Sequence, residues 1–168
     1  LSITANPNQS KLVGTADPEL SYSASGFVGS ENVTILTGAL SREPGENVGA
    51  YPINLGTLNA GSNYTINFTG SDFTIAAKVL TITADPGQEK IYGDADPVFT
   101  YMATGFLGGD DRSILTGALA RATGENAGNY PINLGSLNAG SNYTINFIGN
   151  DFEITPATLA ITADPGQS

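Results

Sequence analysis

Residues 1–79 and 80–158 align without a gap, and 48 of those 79 positions are identical. Leu1-Ser-Ile-Thr-Ala-Asn-Pro7 returns as Leu80-Thr-Ile-Thr-Ala-Asp-Pro86, and Ile35-Leu-Thr-Gly-Ala-Leu40 as Ile114-Leu-Thr-Gly-Ala-Leu119. Tyr51-Pro-Ile-Asn-Leu-Gly56 returns as Tyr130-Pro-Ile-Asn-Leu-Gly135. A solenoid turn repeats every 20–45 residues or so; a period of 79 suits a small domain with its own core. The chain therefore reads as two tandem modules, 1–79 and 80–158, with 159–168 as the first strand of a truncated third that opens at Leu159-Ala-Ile-Thr-Ala-Asp-Pro165. The joints Phe73-Thr-Ile-Ala-Ala-Lys-Val-Leu80 and Phe152-Glu-Ile-Thr-Pro-Ala-Thr-Leu159 hold no Gly/Ser run. Short extended joints of this kind predict a semi-rigid, elongated array.

Within each copy the apolar residues alternate with polar ones, the period of a half-buried strand. Tyr64, Ile66 and Phe68 do so in the first copy, and Tyr143, Ile145 and Phe147 in the second. Gly- and Asn-rich clusters such as Asn59-Ala-Gly-Ser-Asn63 punctuate the strands as turns. The expected core comprises Tyr22, Phe27, Leu36, Tyr51, Ile53, Tyr64, Ile66, Phe68 and Phe73 in the first module. In the second it comprises Leu80, Ile82, Tyr101, Phe106, Leu115, Tyr130, Ile132, Tyr143, Ile145, Phe147, Phe152 and Ile154. Helix is confined to one or two turns that Asp110 would cap and Gly117 would end, with a counterpart starting at Ser30 or Glu31. The fold class is all-β. An immunoglobulin-like sandwich is favoured by Gly49-Ala-Tyr51 and Gly128-Asn-Tyr130, which resemble the tyrosine corner of Greek-key sandwiches. A β-grasp-like sheet packed on the helical turn is the alternative.

Missing residue types remove whole function classes. The sequence has no Cys and no His, so it offers no disulfide, no zinc site, no thiol nucleophile and no imidazole base. A Ser-His-Asp triad is therefore impossible, and no strand-to-helix glycine loop exists to cradle phosphate. A net charge of −10 repels nucleic acid and anionic headgroups. No apolar run reaches the roughly 18–20 residues of a membrane-spanning helix, so direct membrane insertion is not expected.

Some residue groups still carry chemistry. Asp85, Asp94 and Asp96 are candidates for calcium, a hard cation that takes carboxylate oxygens, set against Asx-turn and Asp-Pro turn roles for the same side chains. No other cofactor is indicated. Lys11 and Lys90 recur, as do Glu46-Asn47 and Glu125-Asn126; these are the residue types of an intramolecular Lys–Asn or Lys–Asp amide crosslink. Their plain reading is a solvated Lys and a Gly-Glu-Asn turn, with Arg42 and Arg121 paired to carboxylates on the surface. Tyr92, absent from the first copy and beside a turn, is the one aromatic candidate for binding.

Leu80-Thr-Ile-Thr-Ala-Asp-Pro86, Lys90-Ile-Tyr-Gly-Asp-Ala-Asp-Pro97, Thr104-Gly-Phe106 and Asn142-Tyr-Thr-Ile-Asn-Phe147 together resemble the MBG domain of the YGX type. The first module has Val13-Gly-Thr15 in place of Tyr-Gly-Asp and keeps Gly14, Asp17 and Pro18. The resemblance implies tandem modules of very large, adhesin-like bacterial surface proteins, hence an extracellular location, and implies neither a catalytic residue nor a ligand. The function expected is a structural spacer whose first partners are neighbouring repeats of the same chain. The alternative is a weak multivalent module for a host or surface glycan or protein.

Overall fold

A computed structural model describes residues 1–166. Contacts divide the chain into two compact units, Leu1–Lys78 with Ser141–Thr144, and Val79–Gly140 with the residues from Ile145 onward. Both are all-β, and their strands follow the same order.

The first unit holds β1 (Ser2–Ala5), β2 (Gln9–Leu12), β3 (Tyr22–Ser25), β4 (Ser41–Arg42), β5 (Gly49–Asn54), β6 (Asn67–Thr69) and β7 (Asp72–Ala76). These form a three-stranded sheet ordered β3-β1-β6 and a four-stranded sheet ordered β2-β7-β5-β4. In the second copy β8 (Lys78–Ala84), β9 (Gln88–Ile91), β10 (Tyr101–Thr104), β11 (Ala120–Arg121), β12 (Gly128–Asn133), β13 (Tyr143–Ile148) and β14 (Asp151–Thr155) repeat both sheets, as β10-β8-β13 and β11-β12-β14-β9. Most neighbours are antiparallel, but β1 runs parallel to β6, β2 to β7 and β9 to β14. Two sheets per module agree with a sandwich; the parallel pairs depart from an all-antiparallel Greek key. The β-grasp alternative needs a helix laid across a sheet, and among the described residues there is no α-helix.

Period-two alternation places the core. Ile3 and Ala5 of β1, Ile53 of β5, and Phe73 and Ile75 of β7 are buried, as are Leu80, Ile82 and Ala84 of β8 with Ile132, Phe152 and Ile154. Leu40, Leu58 and Ala60 and their counterparts Leu119, Leu137 and Ala139 complete these cores from outside the strands. Of the other expected core residues, Tyr143 is buried; Tyr22, Phe27, Leu36, Tyr51, Tyr64, Ile66, Phe68, Tyr101, Phe106, Leu115, Tyr130, Ile145 and Phe147 are half-buried. Each module fully encloses one large ring, Phe73 or Phe152, and its small sheets leave most of the other rings partly exposed.

Each expected helix is a single 3-10 turn, at Val33–Ile35 and Arg112–Ile114. The cap is Asp111 rather than Asp110, since Asp111 has the extended backbone a cap requires and accepts from the Ser113 N–H at 2.8 Å. Asn32, rather than Ser30 or Glu31, does the same for Thr34 at 3.0 Å. Leu36 and Leu115 are already extended, so the turns stop before Gly38 and Gly117.

Two further differences from the sequence reading have local causes. Asn63–Phe68 and Asn142–Phe147 are identical, yet β6 covers only three residues while β13 covers six. β8 starts three residues ahead of the position equivalent to Ser2 (81 − 78), and the Lys78 N–H donates to the Asn142 C=O, so the longer neighbour extends the ladder. Residues 159–166 form no strand where the repeat predicts a third first strand. In both complete copies that strand lies between two partners, and among the described residues there is no third pair of such partners. Positions 167–168 lie outside the described residues.

Candidate functional site

Lys11 lies on the edge strand β2 at an inward position, and its side chain is only 3% exposed. An ammonium so placed needs partners. Its Nζ lies 2.6 Å from Asp17 Oδ1 and also contacts Glu46 Oε2. Arg42, on the opposite edge strand β4, holds the same two carboxylates. Its Nε donates to Asp17 Oδ2 at 2.6 Å, and its Nη2 donates to Asp17 Oδ1 at 3.0 Å and Glu46 Oε1 at 2.7 Å. Its Nη1 donates to the Glu43 and Gly45 carbonyls at 2.9 and 2.7 Å. The guanidinium lies over the rings of Tyr51 and Phe73, 5.2 and 5.3 Å from their centroids. The planar fork and the flat face of Arg serve both contacts at once, which a Lys could not do.

The second module repeats this clamp. Lys90 Nζ lies 2.7 Å from Asp96 and 2.6 Å from Glu125, and Arg121 pairs with Asp96 through Nε at 2.7 Å and Nη2 at 2.9 Å. Arg121 also reaches Glu125 at 2.7 Å and lies 5.1 and 5.3 Å from the Tyr130 and Phe152 centroids. Lys90 and Arg121 are thus buried to a degree that the sequence reading of a solvated Lys and a surface Arg did not anticipate. Strand alternation turns the Lys inward, and the carboxylates arrive from loops that sequence periodicity does not place.

Mutual proximity favours the charged forms. Arg42 first, then Lys11, holds Asp17 down from the ordinary 3.8 to about 2. Asp96 is likewise lowered to about 2, with Arg121 the largest cause. Asp17 and then Glu46 raise Lys11 above the usual lysine value, and Asp96 and Glu125 do the same for Lys90. These directions argue against the crosslink. Amide formation needs a neutral amine and a carboxyl that can lose water, whereas here the amine stays an ammonium and the bidentate Arg keeps the Asp a carboxylate. The clamp is an ion network with no activated nucleophile.

Other sequence-selected residues are placed apart from one another. Among the described residues no group of three acidic side chains could hold a metal. Asp96 is engaged by Lys90 and Arg121; the Asp94 N–H closes a turn onto the Ile91 C=O, and the Asp85 N–H donates to the Thr100 C=O. Tyr92 is half exposed, and its N–H continues the β9 ladder to the Thr155 C=O at 2.8 Å. The Tyr51 hydroxyl donates to the Asn47 C=O at 2.8 Å and that of Tyr130 to the Asn126 C=O at 2.8 Å, the bond a tyrosine corner makes. Gln9 and Gln88 were not singled out from the sequence, yet each stitches its sheet to the chain just ahead of β3 or β10. The Gln9 amide donates to Asn6 and Ser21 carbonyls and accepts the Ser21 N–H; Gln88 does the same with Asp85 and Thr100.

A signal for the clamp was present in the sequence. Only five charged residues are identical in the two copies: Lys11/Lys90, Asp17/Asp96, Arg42/Arg121, Glu46/Glu125 and Asp72/Asp151. Four of the five are the clamp.

The family model of the MBG domain (YGX type) matches residues 1–74 and again 80–153. No curated protein matches the chain.

Proposed function

The chain belongs to the MBG domain (YGX type) family, and from that premise we propose that it is a structural spacer, a stretch of stalk in a bacterial extracellular surface protein. One observation carries this reading: four of the five charged residues identical in the two copies are engaged in holding each module's own fold, with the Lys and Arg side chains turned inward. A repeated binding module would instead be expected to keep its outward chemistry. Several outward positions outside the clamp change in character: Glu19 becomes Val98, Glu43 becomes Ala122, and Val33 becomes Arg112. MBG is a repeat-domain family rather than an enzyme class, and no buried side-chain polar atom among the described residues lacks a partner that a substrate would have to supply. The acidic surface, from a net charge of −10, keeps like copies apart.

Two measurements on the 168-residue chain test the proposal. Small-angle scattering should give the profile of an elongated particle, and glycan and host-matrix arrays should give no specific binding. A compact profile removes the spacer reading. Specific binding that is lost on Tyr92→Ala replaces it with the weak multivalent adhesion module.

A further inference from the structure

The first two strands of the first module pair in parallel with its last two, and the second strand of the second module pairs in parallel with its last. β1 pairs with β6 through Ser2↔Asn67, Ile3↔Phe68 and Thr4↔Thr69. β2 pairs with β7 from Gln9↔Phe73 to Leu12↔Ala76, and the Val13 N–H adds one more bond to the Ala76 C=O at 2.9 Å. In the second module β9 pairs with β14 from Phe152↔Gln88 to Thr155↔Ile91 and is extended by the Tyr92 N–H.

Parallel strands point their N-terminal ends the same way. Tension on the two ends of a module therefore draws β7 forward along its own axis and, through β1 and the turn at residues 6–8, draws β2 backward. Their hydrogen bonds lie across that direction, so the ladder is loaded as a whole. A hairpin pulled from its open end would lose its bonds singly. The ion clamp sets the register of the same pair. A slip of one residue moves Lys11 by about 3.3 Å and turns β2 over, carrying the ammonium out of reach of Asp17 and Glu46.

We infer that each module is a shear-loaded force-bearing unit: tension through its ends meets the simultaneous rupture of a parallel terminal ladder whose register is fixed by the buried Lys. This is a property of the single module. It stands or falls separately from the spacer reading, which has its own scattering and binding tests.

Single-molecule force spectroscopy on the whole chain is the decisive experiment. Pulled through its ends, the chain should give two rupture events, each releasing up to about 280 Å (79 residues at ~3.6 Å). Because the sequence has no Cys, a pair of handles can be introduced cleanly. Glu89 and Glu153 face each other across the β9–β14 ladder and are exposed, so handles on Glu89→Cys and Glu153→Cys load the same ladder across the strands. The second module should then open at a force several-fold lower than in the end-to-end pull. Equal forces in the two directions overturn the inference. Lys90→Met should lower the end-to-end rupture force of the second module alone, with the first as internal reference. Two equal events in that variant overturn the role given to the lysine, and should the variant fail to fold, the comparison of directions still decides.

Discussion

At the scale of single residues, the clamp ties stability to pH in a direction that can be worked out. Asp17 and Asp96 are lowered from 3.8 to about 2 in the folded state, so their contribution is complete above about 3.8 and disappears as the pH falls towards 2. The melting temperature should hold from neutral pH to about pH 4 and then drop steeply. Asp17→Asn with Asp96→Asn should melt lower at neutral pH and lose much of that slope, as followed by circular dichroism. A slope unchanged by the double substitution would place the acid sensitivity elsewhere. The same protonation states predict an intact mass equal to that of the sequence; a deficit of one water per module would mean that the Lys–Asp amide had formed after all. The clamp was legible in the sequence only as shared charge. That Lys11 and Lys90 recur was plain, but their burial depends on Asp17 and Glu46 reaching them from loops, a meeting that no local pattern encodes.

At the scale of elements, strands were legible because alternation is a local property, and single-turn helices were harder because a cap is decided by one residue's backbone angle. The tyrosine corner lies between these cases. Gly49-Ala-Tyr51 announced it, but its fit depends on Gly45, whose φ is +151° and where an added Cβ would lie 2.2 Å from the Tyr51 ring. In the second copy Gly124, at φ +149°, stands in the same relation to Tyr130, again at 2.2 Å. Gly140 also has a positive φ, +75°, with nothing within 4 Å of an added Cβ. Gly140→Ala should therefore cost only backbone strain, about 1 kcal/mol. Gly124→Ala adds displacement of the ring on which Arg121 stacks, and should cost about 3 kcal/mol or more. Chemical denaturation of the two variants checks the difference; equal losses would mean that the ring moves aside freely.

At the scale of the whole chain, the repeat predicts how the protein comes apart. Each copy has its own buried set, with Phe73, Ile53 and Ile75 in one and Phe152, Ile132 and Ile154 in the other, and each has a complete clamp. Cores this alike should melt at nearly the same temperature, so the natural chain should show one calorimetric peak for a reason other than cooperativity between copies. Phe73→Ala separates the two explanations. Removing a fully buried Phe costs about 3–5 kcal/mol. For a domain of this size that lowers the first module's midpoint by upwards of about 10 °C. The second module, with Phe152 untouched, should keep its original midpoint, so the single peak should split in two. A single peak displaced as a whole would mean that the copies fold as one cooperative unit, and the gapless offset of 79 would then describe ancestry without describing independence.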